Sequence, residues 1–194
     1  MSGNLVIVDP LTGEPVRVKP RNQLDVAATT ESREVTEALH GNTFLATTGS
    51  VLLTSANYSH LLYIKNNEQI RWIINAISGT FGATDGAGDV FMQFTINPTG
   101  GTLLSATEFA PANLNFGSPN ILTGDFRIGG EGGTVSGGFS AAPTLIPEGV
   151  PLRRFPGRPI ILAPGSSMAI GIKPATGNTG MNIQIQVPLY REIT

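Results

Sequence analysis

The chain has 194 residues, of which 40% are hydrophobic and only 13% charged, with a net charge of −2. That length fits one β-rich domain with an attached arm, and a mean hydropathy of +0.09 supplies enough apolar material for a core. Such a charge balance favours neither nucleic acid nor an anionic membrane as partner, and zero cysteines exclude disulfides, thiolate metal sites and cysteine catalysis while agreeing with assembly in a reducing cytoplasm.

Residues 1–41 read as an extended N-terminal arm. Ten charged side chains fall within the first 40 residues, a fifth of the chain. Asp9-Pro10, Glu14-Pro15 and Lys19-Pro20 each remove a backbone donor and bias the preceding residue toward extended backbone. Leu5 to Val8 suits one edge strand, and Glu31 to Leu39 predicts a short helix ending before Gly41. Arg17, Lys19, Arg21 and Arg33 are interleaved with Asp9, Glu14, Asp25, Glu31, Glu34 and Glu37, and mixed signs suit protein docking better than DNA. The N-terminus lacks a basic region followed by an apolar stretch, and no run of 18 apolar residues occurs, so neither a signal peptide nor a membrane span is expected.

From Asn42 to Thr194 short β-prone runs alternate with Gly, Pro, Asn and Ser. A run at 50–54 is followed by Leu61 to Lys65 and Ile70 to Ile77, dense enough in apolar residues for central strands covered on both sides, with Trp72 near the core centre. Met92, Phe94 and Ile96 alternate with polar residues, and another strand is expected at 102–105. After the run at 121–128 comes Gly129 to Gly138, with six glycines in ten residues, read as a long loop that orders only against a neighbouring subunit. Ile160 lies in a run at 158–163; then Met168, Ile170 and Ile172 alternate before Pro174. Met181, Ile183, Ile185 and Val187 share one face of the clearest amphipathic strand, with Asn182, Gln184 and Gln186 on the other. Eight or nine such strands predict an all-β fold, an antiparallel β-sandwich, for which a jelly roll is the leading topology because it hides apolar faces and leaves few edges.

Jelly rolls also house metal-dependent enzymes, whose sites need imidazoles converging with a carboxylate. The only histidines, His40 and His60, form no His-x-His pair. His40 is expected to follow the short helix and His60 to sit at a strand edge with its ring partly exposed. Asp85-Gly86-Ala87-Gly88-Asp89 spaces two carboxylates but lacks further acidic ligands, and reads as a turn. Ser166-Ser167 follows Pro164-Gly165 without a nucleophile elbow, and no phosphate-binding loop occurs. No catalytic residue, cofactor or metal is therefore expected. Arg153, Arg154 and Arg158 form the one dense basic patch outside the arm, and with Arg17, Lys19, Arg21 and Arg33 they are the candidate interface.

Gly41-Asn42-Thr43-Phe44, Thr48 to Thr54 and Leu62 to Glu68, then Ile160 to Ser167 and Gly177 to Asn182, resemble the strand and turn patterns of virion-associated proteins of tailed bacteriophages, as does Val8-Asp9-Pro10 in the arm. The resemblance implies a non-enzymatic head decoration or cement protein, a homotrimeric jelly roll on the capsid exterior whose partner is the major capsid protein. A rival expectation is a glycan- or receptor-binding module of a head or tail fibre, for which, with Trp72 in the core and only Tyr58, Tyr63 and Tyr190 besides, Tyr58 in a loop is a candidate aromatic platform.

Overall fold

A computed structural model describes residues 33–83, 88–147, 159–175 and 180–192. The expected strand at Leu5 to Val8 lies outside them. In chain order they form α1 (Arg33–Leu39), β1 (Thr43–Thr47), β2 (Val51–Leu53), β3 (Ser59–Asn66), β4 (Trp72–Ile74), β5 (Ser78–Ala83) and β6 (Val90–Ile96). A 3-10 turn, η1 (Thr102–Ser105), precedes β7 (Thr107–Glu108), β8 (Ala112–Asn113), β9 (Gly124–Ile128), β10 (Phe139–Ser140), β11 (Thr144–Ile146), β12 (Ile160–Leu162), β13 (Ser167–Pro174) and β14 (Met181–Arg191).

The fold is an all-β sandwich of two antiparallel sheets. The first runs β12-β4-β14-β1-β8, with β2 and β5 also paired to β14; the second runs β10-β6-β13-β3-β9-β7, with β11 also paired to β6. More strands appear than the sequence predicts because several are interrupted pieces of one line. Thr43 to Thr47 and then Val51 to Leu53 run along one side of β14, for example, broken by the turn at Gly49.

Burial follows the pleat. In β14 the expected alternation holds: Met181, Ile183, Ile185, Val187 and Leu189 are buried in the shared core, while Asn182 and the glutamines face outward. β3, between β13 and β9, is covered on both sides, as its apolar density predicted. Trp72 is fully buried and stacks on Phe126 with ring centroids 5.5 Å apart; a side chain at Gly124 would strike that indole.

Four expectations are corrected. Residues 102–105 form η1 rather than a strand, and its Leu103 packs on Tyr63 and Ala169, building a small second core on the outward side of the second sheet. β13 is buried on both faces for the same reason, so Met168, Ile170 and Ile172 do not mark a half-polar strand. Ile96, at the end of its strand, is 45% exposed. His60 is also not at an edge: the β3–β13 register slips between Ile170 and Gly171, so Leu61 and Leu62 both enter the core and His60 is left opposite Gly171.

Candidate functional site

Of the seven basic residues expected at an interface, Arg17, Lys19, Arg21, Arg153, Arg154 and Arg158 lie outside the described residues, and Arg33 opens α1. Three other arginines are structural. Arg71 meets Glu192 at 3.5 Å, and Arg127 meets Asp125 at 2.5 Å and Glu108 at 3.7 Å. Arg191 grips Glu68 through both Nε, at 2.9 Å, and Nη2. That carboxylate also accepts from Trp72 Nε1 at 3.0 Å and from the backbone N–H of Thr123 at 2.9 Å. Burial raises its pKa, but the bonds from Arg191, Thr123 and Trp72 outweigh burial and hold it below the usual carboxylate range.

At the same end of the molecule Arg191 donates to the carbonyl of Ile121, and a short loop is fastened to the end of α1 by asparagine amides. Asn113 Nδ2 donates to the Gly41 carbonyl at 2.9 Å, Asn115 Nδ2 to that of Leu39 at 3.0 Å and Asn120 Nδ2 to that of His40 at 3.2 Å. These bonds satisfy carbonyls that a helix leaves unpaired at its C-terminus. Gly41 there has φ +72°, and a Cβ would lie 2.1 Å from Ser118 Oγ. The same scaffold holds out apolar side chains: Phe116 is 93% exposed, Ile121 77% and Leu39 65%. An exposed apolar group on ordered backbone is a feature of surfaces that other proteins cover.

The glycine-rich stretch from Gly129 to Gly138 orders against its own chain, which corrects the expectation that it needs a neighbour. The His60 N–H donates to the Gly133 carbonyl at 2.8 Å, the Gly129 N–H to Leu61 and the Leu103 N–H to Thr134. Glycine is required by close approach: a Cβ at Gly129 or Gly133 would lie 2.3 or 2.4 Å from the His60 carbonyl oxygen. Glu131 pins the loop by accepting from the backbone N–H groups of Thr54 and Ser55, both at 2.5 Å.

Beneath this loop His60 is 9% exposed. Its Nδ1 lies 3.3 Å from the Gly133 carbonyl, and its Nε2 is buried with no hydrogen-bond partner. A carbonyl can only accept, so in this contact Nδ1 is the donor. Burial depresses its pKa, opposed only by that backbone bond. His40, by contrast, sits exposed in the turn after α1, as expected.

Among the described residues no group of three or more His, Asp or Glu side chains is placed to hold a metal ion. A depression of about 400 Å³ lies beside Lys65, Asn97, Thr99 and Ser166. Its polar groups hold the turns around it: Ser166 Oγ donates to the Ala163 carbonyl at 2.7 Å and Asn97 Oδ1 accepts from the Ser167 N–H at 2.8 Å. Asp89 accepts from the Ala175 N–H through its carbonyl, while Asp85 lies outside the described residues. Tyr58 does not offer a bare ring, because Lys173 Nζ sits 5.0 Å from its centroid.

The outward side of the first sheet is uniform in character. Cross-strand partners share a face, so Ser78, Gln186 and Thr47 form one outward row, Thr80 and Gln184 the next, and Gly82, Asn182 and Leu52 a third. Pro188 with Leu45, and Ile161 with Ile73 and Tyr190, continue the pairing, but Ile73 and Tyr190 are themselves buried, 5% and 9% exposed. None of these residues is charged. The second sheet instead presents Lys65 opposite Asp125 and Arg127 opposite Glu108. No protein-family model matches this sequence, and no curated protein matches it.

Proposed function

We propose that this protein is a non-enzymatic structural component of a tailed-phage virion: a decoration or cement protein that binds the major capsid protein on the outside of the head and stabilises it, acting as a homo-oligomer. The observation that carries the reading is the apolar end built from Phe116, Ile121 and Leu39, fixed in place by asparagine amides on a chain with few charges. Apolar, amide and hydroxyl surface is covered by a protein partner at small desolvation cost, whereas unpaired charge is not.

The strand order supports a jelly roll. Counting interrupted pieces as one and setting aside β7, β8 and β9, which extend the sheets beyond β1 and β3, eight positions in chain order are β1 with β2, β3, β4 with β5, β6, β10 with β11, β12, β13 and β14. They fall in the order 1-8-3-6 in one sheet and 2-7-4-5 in the other, the arrangement of two interlocked Greek keys used by capsid and lectin domains.

The test is cosedimentation with heads that lack this protein. Saturable binding is expected, with at least a tenfold loss of affinity in Phe116→Asp, Ile121→Asp; no binding by the wild-type chain overturns the reading. Deleting residues 1–26 is expected to lower occupancy further if the arm lies along capsid subunits. The rival fibre module finds its support in the exposed rings of Phe116 and Phe139. Strong, specific binding on a glycan array, abolished by Phe116→Ala, would replace the head assignment with that one.

A further inference from the structure

We infer that the depression beside Lys65 is a binding site for an acidic sugar, a ring that carries one carboxylate among its hydroxyls. The inference goes beyond the proposed structural role and stands whether or not the protein binds heads.

The site is built on the outward side of the second sheet. Lys65 of β3 is the cross-strand partner of Ser167 of β13, and Ser167 alternates with Met168, which points into the shared core. Asn97, just past β6, is fastened to Ser167 twice: its N–H donates to the Ser167 carbonyl at 2.9 Å and its Oδ1 accepts from the Ser167 N–H at 2.8 Å. With φ +49°, Asn97 is the one residue other than glycine in the left-handed region among the described residues, a conformation that asparagine tolerates. The turn that follows, through Pro98 and Thr99, forms one wall, and Pro164 to Ser166 form another. The space of about 400 Å³ between them falls within the roughly 300–1,000 Å³ of small-molecule sites.

The unused hydrogen-bonding capacity of the lining points to a sugar. Asn97 Oδ1 and Ser166 Oγ are spent on holding the turns, but Asn97 Nδ2, Thr99 Oγ1, Ser167 Oγ and Lys65 Nζ have no partner among the described residues. Hydroxyls and an amide on a rigid frame match the hydroxyl oxygens of a sugar ring, and the exposed Pro164 offers an apolar contact for its C–H groups. Charge makes the sugar an acid. Arg71, Arg127 and Arg191 meet carboxylates and Lys173 lies over two rings, so Lys65 is the one ammonium or guanidinium without such a partner among the described side chains. Asp125, opposite Lys65 on β9, is engaged by Arg127 Nε at 2.5 Å. No carboxylate lines the space, and a single ammonium balances a single negative charge. A phosphate dianion would exceed that charge, would meet Asp125 next in the row and would find no guanidinium fork.

The test is a titration of the full chain with galacturonate and with N-acetylneuraminate, followed by amide chemical shifts. One of the two is expected to bind saturably at roughly millimolar affinity, with shifts centred on residues 97–99 and 164–167. Neutral galactose, and acetate as a carboxylate without hydroxyls, should each bind at least tenfold more weakly. Lys65→Gln should bring the acidic sugar down to the level of galactose, and Thr99→Val should weaken it about threefold, both with unchanged far-UV circular dichroism. Lys173→Gln removes the same charge elsewhere on this sheet and should leave the affinity unaltered.

No saturation by either acid at about 50 mM overturns the inference. So does acetate binding as tightly as the sugar, since the hydroxyls would then contribute nothing, or an affinity that Lys65→Gln leaves in place. A wild-type chain that binds the acidic sugar at these residues but fails to bind heads keeps this site and removes the proposed function instead.

Discussion

Glu68 and Arg191 lie 123 positions apart, yet their side chains are only 11% and 16% exposed and face each other across the end of the core. Glu68→Gln leaves the guanidinium partly buried without its counter-charge and is expected to cost about 2–3 kcal/mol in denaturant unfolding. Because the folded carboxyl titrates below its unfolded value of about 4.3, its stabilisation is present above that pH and is lost as pH falls through the folded value. The variant should therefore lose less stability than wild type on acidification below about pH 4.5. His60 acts in a higher window. Its folded pKa lies below the unfolded value of about 6.5, so the unfolded chain takes up a proton that the folded chain refuses. Stability should fall as pH drops from about 7 to about 5, and His60→Gln should flatten that slope in thermal melts. Trp72 could be placed in the core from its sequence neighbours alone, since a dense apolar run carries its own signal. The Glu68 pairing could not, because nothing local joins residues so far apart. Nor could the burial of His60, which follows from the one-residue slip opposite Gly171.

The Gly129 to Gly138 stretch shows how element identity escapes composition. Six glycines read as slack chain, but Gly129 and Gly133 are small because the His60 carbonyl, with Leu103 beside Gly129, leaves no room for a Cβ. A matched pair of variants separates the two meanings. Gly133→Ala, whose Cβ would sit 2.4 Å from a backbone oxygen, should destabilise by about 2 kcal/mol or more; Gly130→Ala, facing open space, should stay within about 0.5 kcal/mol of wild type. Equal effects would mean that the loop is not seated as described. The same distinction explains η1: Thr102 to Ser105 has a strand-like composition, but Leu103 turns onto Tyr63 and Ala169, a contact set by tertiary packing. β14 was legible because strict alternation over many residues leaves one periodicity. The brief β7, β8 and β10 were not, being two residues each and defined only by their partners.

Across the whole molecule both sheets share one core, in which Phe44, Leu53 and Ile185 from the first sheet meet Leu62, Phe94 and Ile170 from the second. Unfolding should therefore be a single transition. Fluorescence of Trp72, the only tryptophan, and the far-UV signal of the strands should share one midpoint; two midpoints would mean that the layers come apart separately. Two-layer all-β architecture was accessible from alternation and turn spacing, whereas the order of strands within each sheet was not, because pairing partners leave no mark on local pattern. That order carries a further consequence. β14 follows in the chain every strand that it joins: β1, β2, β4 and β5 all hydrogen-bond to it. During synthesis the ribosome must release residue 191 before the central seam can form, and until then four earlier segments wait with unzipped edges and bare apolar sides. Newly made protein should thus be most vulnerable to clumping in that interval, and a ribosome stalled just short of β14 should hold a nascent chain that chaperones bind and proteases cut.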